Sequence, residues 1–429
     1  MNVLFVHQNF PGQFRHLARK LASSSEHRVF ALTMSETAGV DGVTCVRHQI
    51  QVPPTQPHPY LKEFNTQVYR AQSTARAAIR LRKKGFIPDL IWVHPGWGEA
   101  MFLKDIFPNA KMVCYQEFYY RADGSDVNFD PEYPCLGMEA QWHLRMRNSV
   151  HLHALEAADG SYSPTHWQRN QYPSAFREKI AVIHDGIDTE LIKPDEEAWL
   201  ALEQGRKLTA QDEVITFVNR NLEPYRGFHM FMRALPELLW RRPHAHVVIV
   251  GGDGVSYGAK LPSGMSYREK YLTELGGQID LSRVSFLGQI PYGHYISLLQ
   301  ISSCHIYLTY PFVLSWSVLE SMSAGAPLIA SATAPVQEVV RDGENGLLVD
   351  FFSPQELVEK ACALLNDREW ARALGVRARN TVVEKYDLHG VCLPAQMEFA
   401  QQVIRTTWKP IGRANSVLEQ MTPEKIILQ

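Results

Sequence analysis

The sequence predicts an α/β protein built from two doubly wound parallel-sheet domains. The chain has 429 residues, beyond the ~250 at which a single core stops growing. Short β-rich apolar runs alternate with amphipathic helical stretches, the pattern of a parallel sheet. That alternation restarts after Asp185-Gly186-Ile187-Asp188. We place the first domain over 1–189 and the second over 190–393, with the C-terminal helical segment 394–429 a candidate to rejoin the first.

In order, Val3 to Val6 read as a strand, Asn9-Phe10-Pro11-Gly12 as a turn, and Phe14, Leu17, Ala18 and Leu21 as one face of a helix. Strands follow at Val29 to Leu32, Leu90 to Val93 and Lys111 to Tyr115, with a long helix over Asn65 to Lys84. Phe118 to Gly137 is a long turn-rich segment whose aromatics and carboxylates suit sugar rings and hydroxyls, or else form a purely structural lid. Ile183 to Pro194 reads as a flexible hinge. The second domain's strands are expected at Glu213 to Val218, His246 to Val250, Val284 to Leu287, Ile306 to Leu308 and Pro327 to Ala330, and the last helix at Pro394 to Thr407.

Composition narrows the function. Lys and Arg number 43 against 45 Asp and Glu, a net charge of −2, unlike the strongly basic domains that bind nucleic acid. Six scattered cysteines without a Cys-x-x-Cys pair indicate reduced thiols. With no leader-like start and no apolar run of ~18 residues, the expected location is cytoplasmic. Arg70, Arg76, Arg80, Arg82, Lys83 and Lys84 make 69–84 a basic amphipathic stretch. It is either a solvated face or a peripheral contact with the inner face of a membrane.

The segment Phe217 to Gly227 ends a strand and carries Arg220 and Arg226, two guanidinium forks suited to a diphosphate. Ser315-Trp316-Ser317-Val318-Leu319-Glu320 opens a helix that stops at Gly325. Its N-terminus is a natural anion site, and Glu320 is placed to reach a ribose diol. Gly251-Gly252-Asp253-Gly254 resembles a dinucleotide fingerprint, but irregular chain continues to about Ser266, so Gly254 belongs to a cleft-lining loop. Gly12 allows close backbone approach in the first turn. His94, Gln116 and Glu117 end strands where ligands bind in open α/β sheets. Glu117 is a candidate to hold or deprotonate an acceptor hydroxyl, and Tyr119 accompanies it. His151-x-His153 and His244-x-His246 lack further ligands, so no metal site and no cofactor are expected.

Together these segments resemble the retaining glycosyltransferases of family 4. The opening Val3-Leu4-Phe5-Val6-His7-Gln8-Asn9-Phe10-Pro11-Gly12-Gln13-Phe14 and the phrase Tyr310-Pro311-Phe312-Val313-Leu314-Ser315-Trp316-Ser317-Val318-Leu319-Glu320 are similar to one bacterial branch. The resemblance implies the GT-B architecture, two Rossmann-like domains facing a cleft. It also implies metal-independent transfer of a sugar from a nucleotide diphosphate sugar to an acceptor hydroxyl. By position it puts the phosphate-binding pair on Arg220 and Arg226, the glycine loop on Gly12 and the ribose-binding carboxylate on Glu320; Leu314, Ser315, Trp316 and Ser317, at the start of the helix, are read as further donor contacts. His94, Gln116 and Tyr119 are read as acceptor-side residues, and the histidine that the family carries at the end of a first-domain strand aligns near Gln116 or Glu117 and not with His94. The family's second glutamate, which touches the transferred sugar, is Phe312 here.

The implied acceptor is a sugar, a lipid-linked glycan or a peptide; no nucleic-acid partner is expected. Other readings are a catalytically silent nucleotide- or sugar-binding protein, favoured by Phe312, a nucleotide-sugar epimerase or phosphorylase, and a nicotinamide dehydrogenase resting only on Gly252-x-Gly254.

Overall fold

The computed structural model describes residues 1–406 apart from 37, 38, 55, 136, 203, 204 and 263. The first sheet contains β1 (Asn2–Val6), β2 (Arg28–Thr33), β3 (Val43–Arg47), β4 (Leu90–Val93), β5 (Lys111–Tyr115), β6 (Gly160–Ser163) and β7 (Ile180–Val182) in the order β3-β2-β1-β4-β5-β6-β7. A hairpin of β8 (Trp199–Ala201) and β9 (Lys207–Thr209) leads to the second sheet. Its strands are β10 (Val214–Asn221), β11 (His246–Gly252), β12 (Val284–Gly288), β13 (Cys304–Tyr307), β14 (Leu328–Ser331) and β15 (Leu347–Val349), in the order β12-β11-β10-β13-β14-β15. Every pairing within the two large sheets is parallel. Both are Rossmann-like, and together they make the GT-B architecture.

Strand order reverses between β1 and β4 in the first sheet and between β10 and β13 in the second. In open α/β sheets a ligand crevice lies beyond the carboxyl ends of strands at such a reversal. β1 delivers His7 and Gly12 to that point, and β4 delivers His94. β10 carries Arg220 next to its last residue, and the chain after β13 delivers Leu314 to Ser317.

The buried strands read as continuous apolar runs because helices cover both faces of each sheet. Val3, Phe5, Trp92 and Tyr115 pack with Phe14 and Leu17 on one face of the first sheet; Leu4, Val6, Ile91 and Met112 pack with Ala77, Ala78 and Leu81 on the other. The helix Leu393–Arg405 closes the former layer, since Leu393, Ala400 and Val403 join that core. Residues 407–429, the remainder of the C-terminal segment, lie outside the described residues.

The chain crosses between domains twice, side by side. Ile187 N–H donates to Tyr386 O at 2.8 Å, and Leu388 N–H donates back to Ile187 O at 2.8 Å. Gly186 sits between the two crossings at φ +91°, where a Cβ would stand 2.8 Å from Leu388 Cα. This segment, expected to flex, is therefore packed as a joint.

The segment after β5 takes the structural alternative over most of its length. Rather than offering its rings to a sugar, it straps onto the second domain. Tyr310 OH donates to Asp130 Oδ2 at 2.5 Å and Tyr225 OH to Asp126 Oδ2 at 2.8 Å. His229 Nε2 lies 2.9 Å from Asp130 Oδ2. Arg233 and Lys270 pair with Glu132 at 2.8 and 3.1 Å. Phe129 packs on Tyr310 and Phe351 with ring centroids 5.2 Å away in each case. The aromatic faces that suited sugars are spent on protein, which favours the structural alternative for most of the segment; among the described residues Phe118 and Tyr120 line a cavity of the interdomain cleft, and Phe129 lines a separate one beside Phe351 and Phe352. Elsewhere the Glu338 carboxylate accepts the His166 and Trp167 N–H groups at 2.8 and 2.7 Å.

Candidate functional site between the two sheets

Three cavities of about 560, 1220 and 970 Å³ run together along the interdomain cleft, with Gln13 and Trp316 lining all three. The 560 Å³ cavity collects most of the residues expected to hold a donor: Arg220, Arg226, Leu314, Ser315, Trp316, Ser317 and Glu320, with Glu117 across from them.

The two arginines are not equivalent. Arg220 is exposed at the end of β10 and makes no hydrogen bond or ion pair among the described residues. Arg226 is buried, and its Nη1 faces three acceptors: Thr309 Oγ1 at 2.7 Å, Val313 O at 3.2 Å and Tyr307 OH at 3.3 Å. Its guanidinium also lies over the Tyr257 ring, 5.1 Å from the centroid. Arg226 thus braces the 309–313 turn while lining the cavity, and Arg220 alone is unengaged.

Ser315 caps the helix Trp316–Ser323 by accepting the Ser317 N–H at 3.3 Å, and its own N–H donates to Tyr307 OH at 3.0 Å. One turn further in, Glu320 accepts from Tyr292 OH at 2.7 Å and from Tyr295 OH at 2.8 Å, one on each carboxylate oxygen. Burial pushes its pKa up, partly offset by these two hydroxyls. Each oxygen keeps a lone pair for a further donor such as a ribose hydroxyl.

Across the cleft, four side chains form a chain whose polarity follows from the backbone. Asn9 N–H donates to His7 Nδ1 at 3.0 Å and Gly96 N–H to His94 Nδ1 at 3.2 Å, so each ring carries its proton on Nε2. His7 then donates to Gln13 Oε1 at 2.9 Å, Gln13 Nε2 to Glu117 Oε1 at 2.9 Å, and His94 to Glu117 Oε2 at 3.3 Å. Burial pushes the Glu117 carboxyl up, but the hydrogen bond from His94 and the pull of that ring, with the bond from Gln13, outweigh it and hold the group below the ordinary range. Glu117 is an ionised hydrogen-bond acceptor of low basicity, better suited to orienting a hydroxyl than to deprotonating one. His7, driven down to about 3 by burial and by His94, stays neutral. Gly12 lines the 970 Å³ cavity at φ +46°, and a Cβ there would stand 2.4 Å from the His7 ring.

The structure does not bring Gln116, Tyr119 or Gly254 to these cavities. Successive residues of a strand face opposite sides, and Gln116 points into the domain with Nε2 3.5 Å from Ser161 Oγ. Tyr119 packs on Tyr172, ring centroids 5.4 Å apart. Gly254 backs onto Asn221, and its loop presents Ser256 and Tyr257 instead. That loop is held by Glu223, which accepts the Ser256, Tyr257 and Gly258 N–H groups at 2.9, 3.2 and 2.9 Å. Phe312, at the sugar-contacting position, is buried against Phe118 and Tyr257, with centroids 4.7 and 5.0 Å away.

Asp185 escaped the sequence reading. Trp316 Nε1 and Tyr115 OH donate to its Oδ2 at 2.8 and 3.0 Å, while its buried Oδ1 has no partner. Burial raises its pKa to about 7 against the pull of these bonds. It lines the 560 and 1220 Å³ cavities.

Comparisons with known proteins agree with this geometry. Residues 25–192 match the family model described as glycosyl transferase family 4 group, and residues 202–381 match that of glycosyl transferases group 1. D-inositol 3-phosphate glycosyltransferase of Nocardia farcinica is 30% identical over 208 residues, 48% of this chain and 44% of that protein. A GDP-mannose-dependent alpha-(1-6)-phosphatidylinositol monomannoside mannosyltransferase of Mycolicibacterium smegmatis is 26% identical over 226 residues, 51% of this chain and 56% of that protein. The chain thus spans about half the length of these relatives. Among solved structures, sucrose-phosphate synthase of Thermosynechococcus elongatus superposes with a TM-score of 0.71 at 18% identity, covering 95% of this chain and 100% of that one. Anabaena HepE in complex with UDP and glucose gives 0.63 at 16%, covering 94% and 98%.

Proposed function

We propose that this chain, whose two halves match consecutive glycosyltransferase family models, transfers a sugar from a nucleoside diphosphate donor to an acceptor hydroxyl with retention at the anomeric carbon. One observation carries the proposal: Arg220, Arg226, the capped helix start at Ser315 and the Glu320 carboxylate line one cavity, and Glu117 faces them from the other domain. The UDP complex of a protein with the same fold supports a nucleotide in this cleft.

In this scheme Glu320 takes the ribose hydroxyls and the diphosphate lies between Arg220 and the helix start. As the bond from the anomeric carbon to the diphosphate oxygen breaks, negative charge gathers on that oxygen. Fixed donors aimed there lower the barrier by on the order of 3–4 kcal/mol each when strongly placed. The acceptor oxygen forms the new glycosidic bond on the face the diphosphate leaves. Its proton passes to the departing phosphate, so no protein base is required, in keeping with the low basicity of Glu117. Glu117 and His94 orient the acceptor. These cations and dipoles supply the stabilisation a metal would otherwise give, and turnover is expected to survive EDTA.

Phe312 cannot accept a hydrogen bond from the transferred sugar. We assign that contact to Asp185, a residue that lines the donor cavity and whose buried Oδ1 has no partner within the protein, so that a small side-chain rotation would offer it to the sugar. Asp185→Asn keeps the shape: affinity for the bare nucleoside diphosphate should hold, while turnover of the nucleotide sugar falls at least tenfold.

Thermal shift with UDP, GDP, ADP and their sugars tests the reading, since a ligand at 100 times its Kd adds about 2.7 kcal/mol. The expected result is stabilisation by one nucleotide class, and nucleotide release from its sugar only when acceptor is supplied. Tight binding with no turnover across an acceptor panel would instead support a silent binding protein. A peripheral contact through 69–84 fits a lipid-linked acceptor: Arg76, Arg80, Arg82, Lys83 and Lys84 are exposed on the helix Lys62–Lys83 and its end. No described helix is long and apolar enough to cross a membrane.

A further inference from the structure

The helix Arg15–Ala22 brings Arg15 and Arg19 to the wall between the 1220 and 970 Å³ cavities. Four residues apart, they share one helix face with Cβ atoms about 5–6 Å apart. Both are exposed, and neither makes a hydrogen bond or ion pair among the described residues.

Local preference opposes this arrangement. Like charges at that spacing repel, Arg15 is the first residue of the helix, where the dipole disfavours a cation, and the first turn holds no acidic residue to offset it. The surrounding carboxylates are engaged. Glu63 pairs with Arg147 at 3.3 Å, and Glu117 is bonded to His94 and Gln13. Glu320 accepts from two tyrosines, and Asp188 lies 3.6 Å from His389. The 970 Å³ cavity that also holds His94 and Glu117 is therefore lined by three unengaged guanidinium groups: Arg15, Arg19 and Arg220. Arg15 acts on the Glu320 carboxyl through space, helping to hold its pKa down, and Arg19 lies in the last turn, where the dipole favours a cation. Yet no carboxylate closes an ion pair with either guanidinium among the described residues, and two unpaired cations side by side on a cavity wall mark a place for an anion.

Resting on the glycosyl-transfer reading, which gives Arg220 to the donor diphosphate, we propose that Arg15 and Arg19 bind a phosphate monoester carried by the acceptor. A phosphorylated sugar or polyol would place its reacting hydroxyl at Glu117 and its phosphate at the arginine pair. The two arginines offer ten N–H donors in planar forks matched to phosphate oxygens.

Calorimetric titration of inorganic phosphate into the protein saturated with whichever of UDP, GDP or ADP stabilises it tests this, because the nucleotide already fills the diphosphate position. Wild type should bind phosphate. Arg15→Ala with Arg19→Ala should weaken that binding at least tenfold, with nucleotide affinity unchanged within twofold and circular dichroism intact. Arg15→Lys with Arg19→Lys should lose less. In turnover with matched neutral and phosphorylated sugars, the double alanine variant should raise KM tenfold for the phosphorylated ones alone. Absence of phosphate binding to wild type, or equal binding to the variant, overturns the proposal. A tenfold loss of nucleotide affinity also overturns it, assigning the pair to the donor. If no nucleotide binds, glycosyl transfer fails as a reading, and phosphate titration of nucleotide-free wild type against the variant still decides the arginine pair.

Discussion

The two walls of the cleft are built on opposite plans. On the second domain's wall the polar groups other than Arg220 are largely bonded in advance: Arg226 to Tyr307, Thr309 and Val313, Glu320 to Tyr292 and Tyr295, and Glu223 to three backbone amides. On the first domain's wall Glu117 is fixed by Gln13 and His94, but Arg15 and Arg19 stand free. A prebonded wall suits a constant ligand whose charge must be met without reorganisation. An open wall suits a ligand that brings its own charge.

The strongest way to break this contrast is to exchange the behaviour of Arg220 and Arg226. Arg220→Ala should lower turnover by about 10²–10³ with an unchanged melting temperature, since nothing in the fold leans on it. Arg226→Ala should lower both, because Thr309, Val313 and Tyr307 lose a shared donor. Equal melting losses in the two variants would erase the distinction.

The strap comes next. Asp130→Ala strands Tyr310 and His229 in the core and should cost about 2–4 kcal/mol, read as a lower denaturation midpoint. A midpoint within 0.5 kcal/mol of wild type would mean the strap carries no load.

A smaller effect sharpens the contrast through pH. Glu99 is buried in the first domain with neither oxygen partnered, and burial raises its pKa to about 7 from 4.5. Between those values the folded protein holds a proton the unfolded chain has lost. Stability therefore declines as pH rises through this window, and the penalty is complete above it. Glu99→Gln should be the more thermostable protein at pH 8, by on the order of 2–3 kcal/mol at most, with the gain gone near pH 4.5. A gain independent of pH would refute the assignment.

The faintest signal belongs to the basic helix. Reversing Arg76 and Arg80 to Glu should reduce sedimentation with anionic vesicles by about 1 kcal/mol per charge without altering turnover on a soluble acceptor. No dependence on anionic lipid would remove the membrane contact.

How much of this was legible in the sequence follows from the range of the interactions. Leu90–Val93 and Lys111–Tyr115 are strands over the expected residues, Ser315 caps its helix, and Ser266 caps the helix Tyr267–Leu275 where irregular chain was expected to end. Each is set by local pattern. β6, Gly-Ser-Tyr-Ser, carries no apolar run and becomes a strand only because β5 and β7 flank it. The site residues on strand ends were legible for the same local reason. Gln116 and Tyr119 were misplaced because alternation of faces needs a register. Gln13 and Asp185 were missed because a glutamine after a turn and an aspartate before a glycine look ordinary until Glu117 and Trp316 stand beside them. The strap was legible as ordered but not as docked, since the separation from Asp130 to Tyr310 is 180 positions.

That separation has a consequence for the order in which the protein can be made. As the chain leaves the ribosome at about 5–20 residues per second, Asp130 waits roughly 10–40 s for the hydroxyl that donates to it. The helix that closes the first core, Leu393–Arg405, emerges near the end of the described chain. The amino-terminal half is therefore the first to be synthesised and among the last to have its contacts completed.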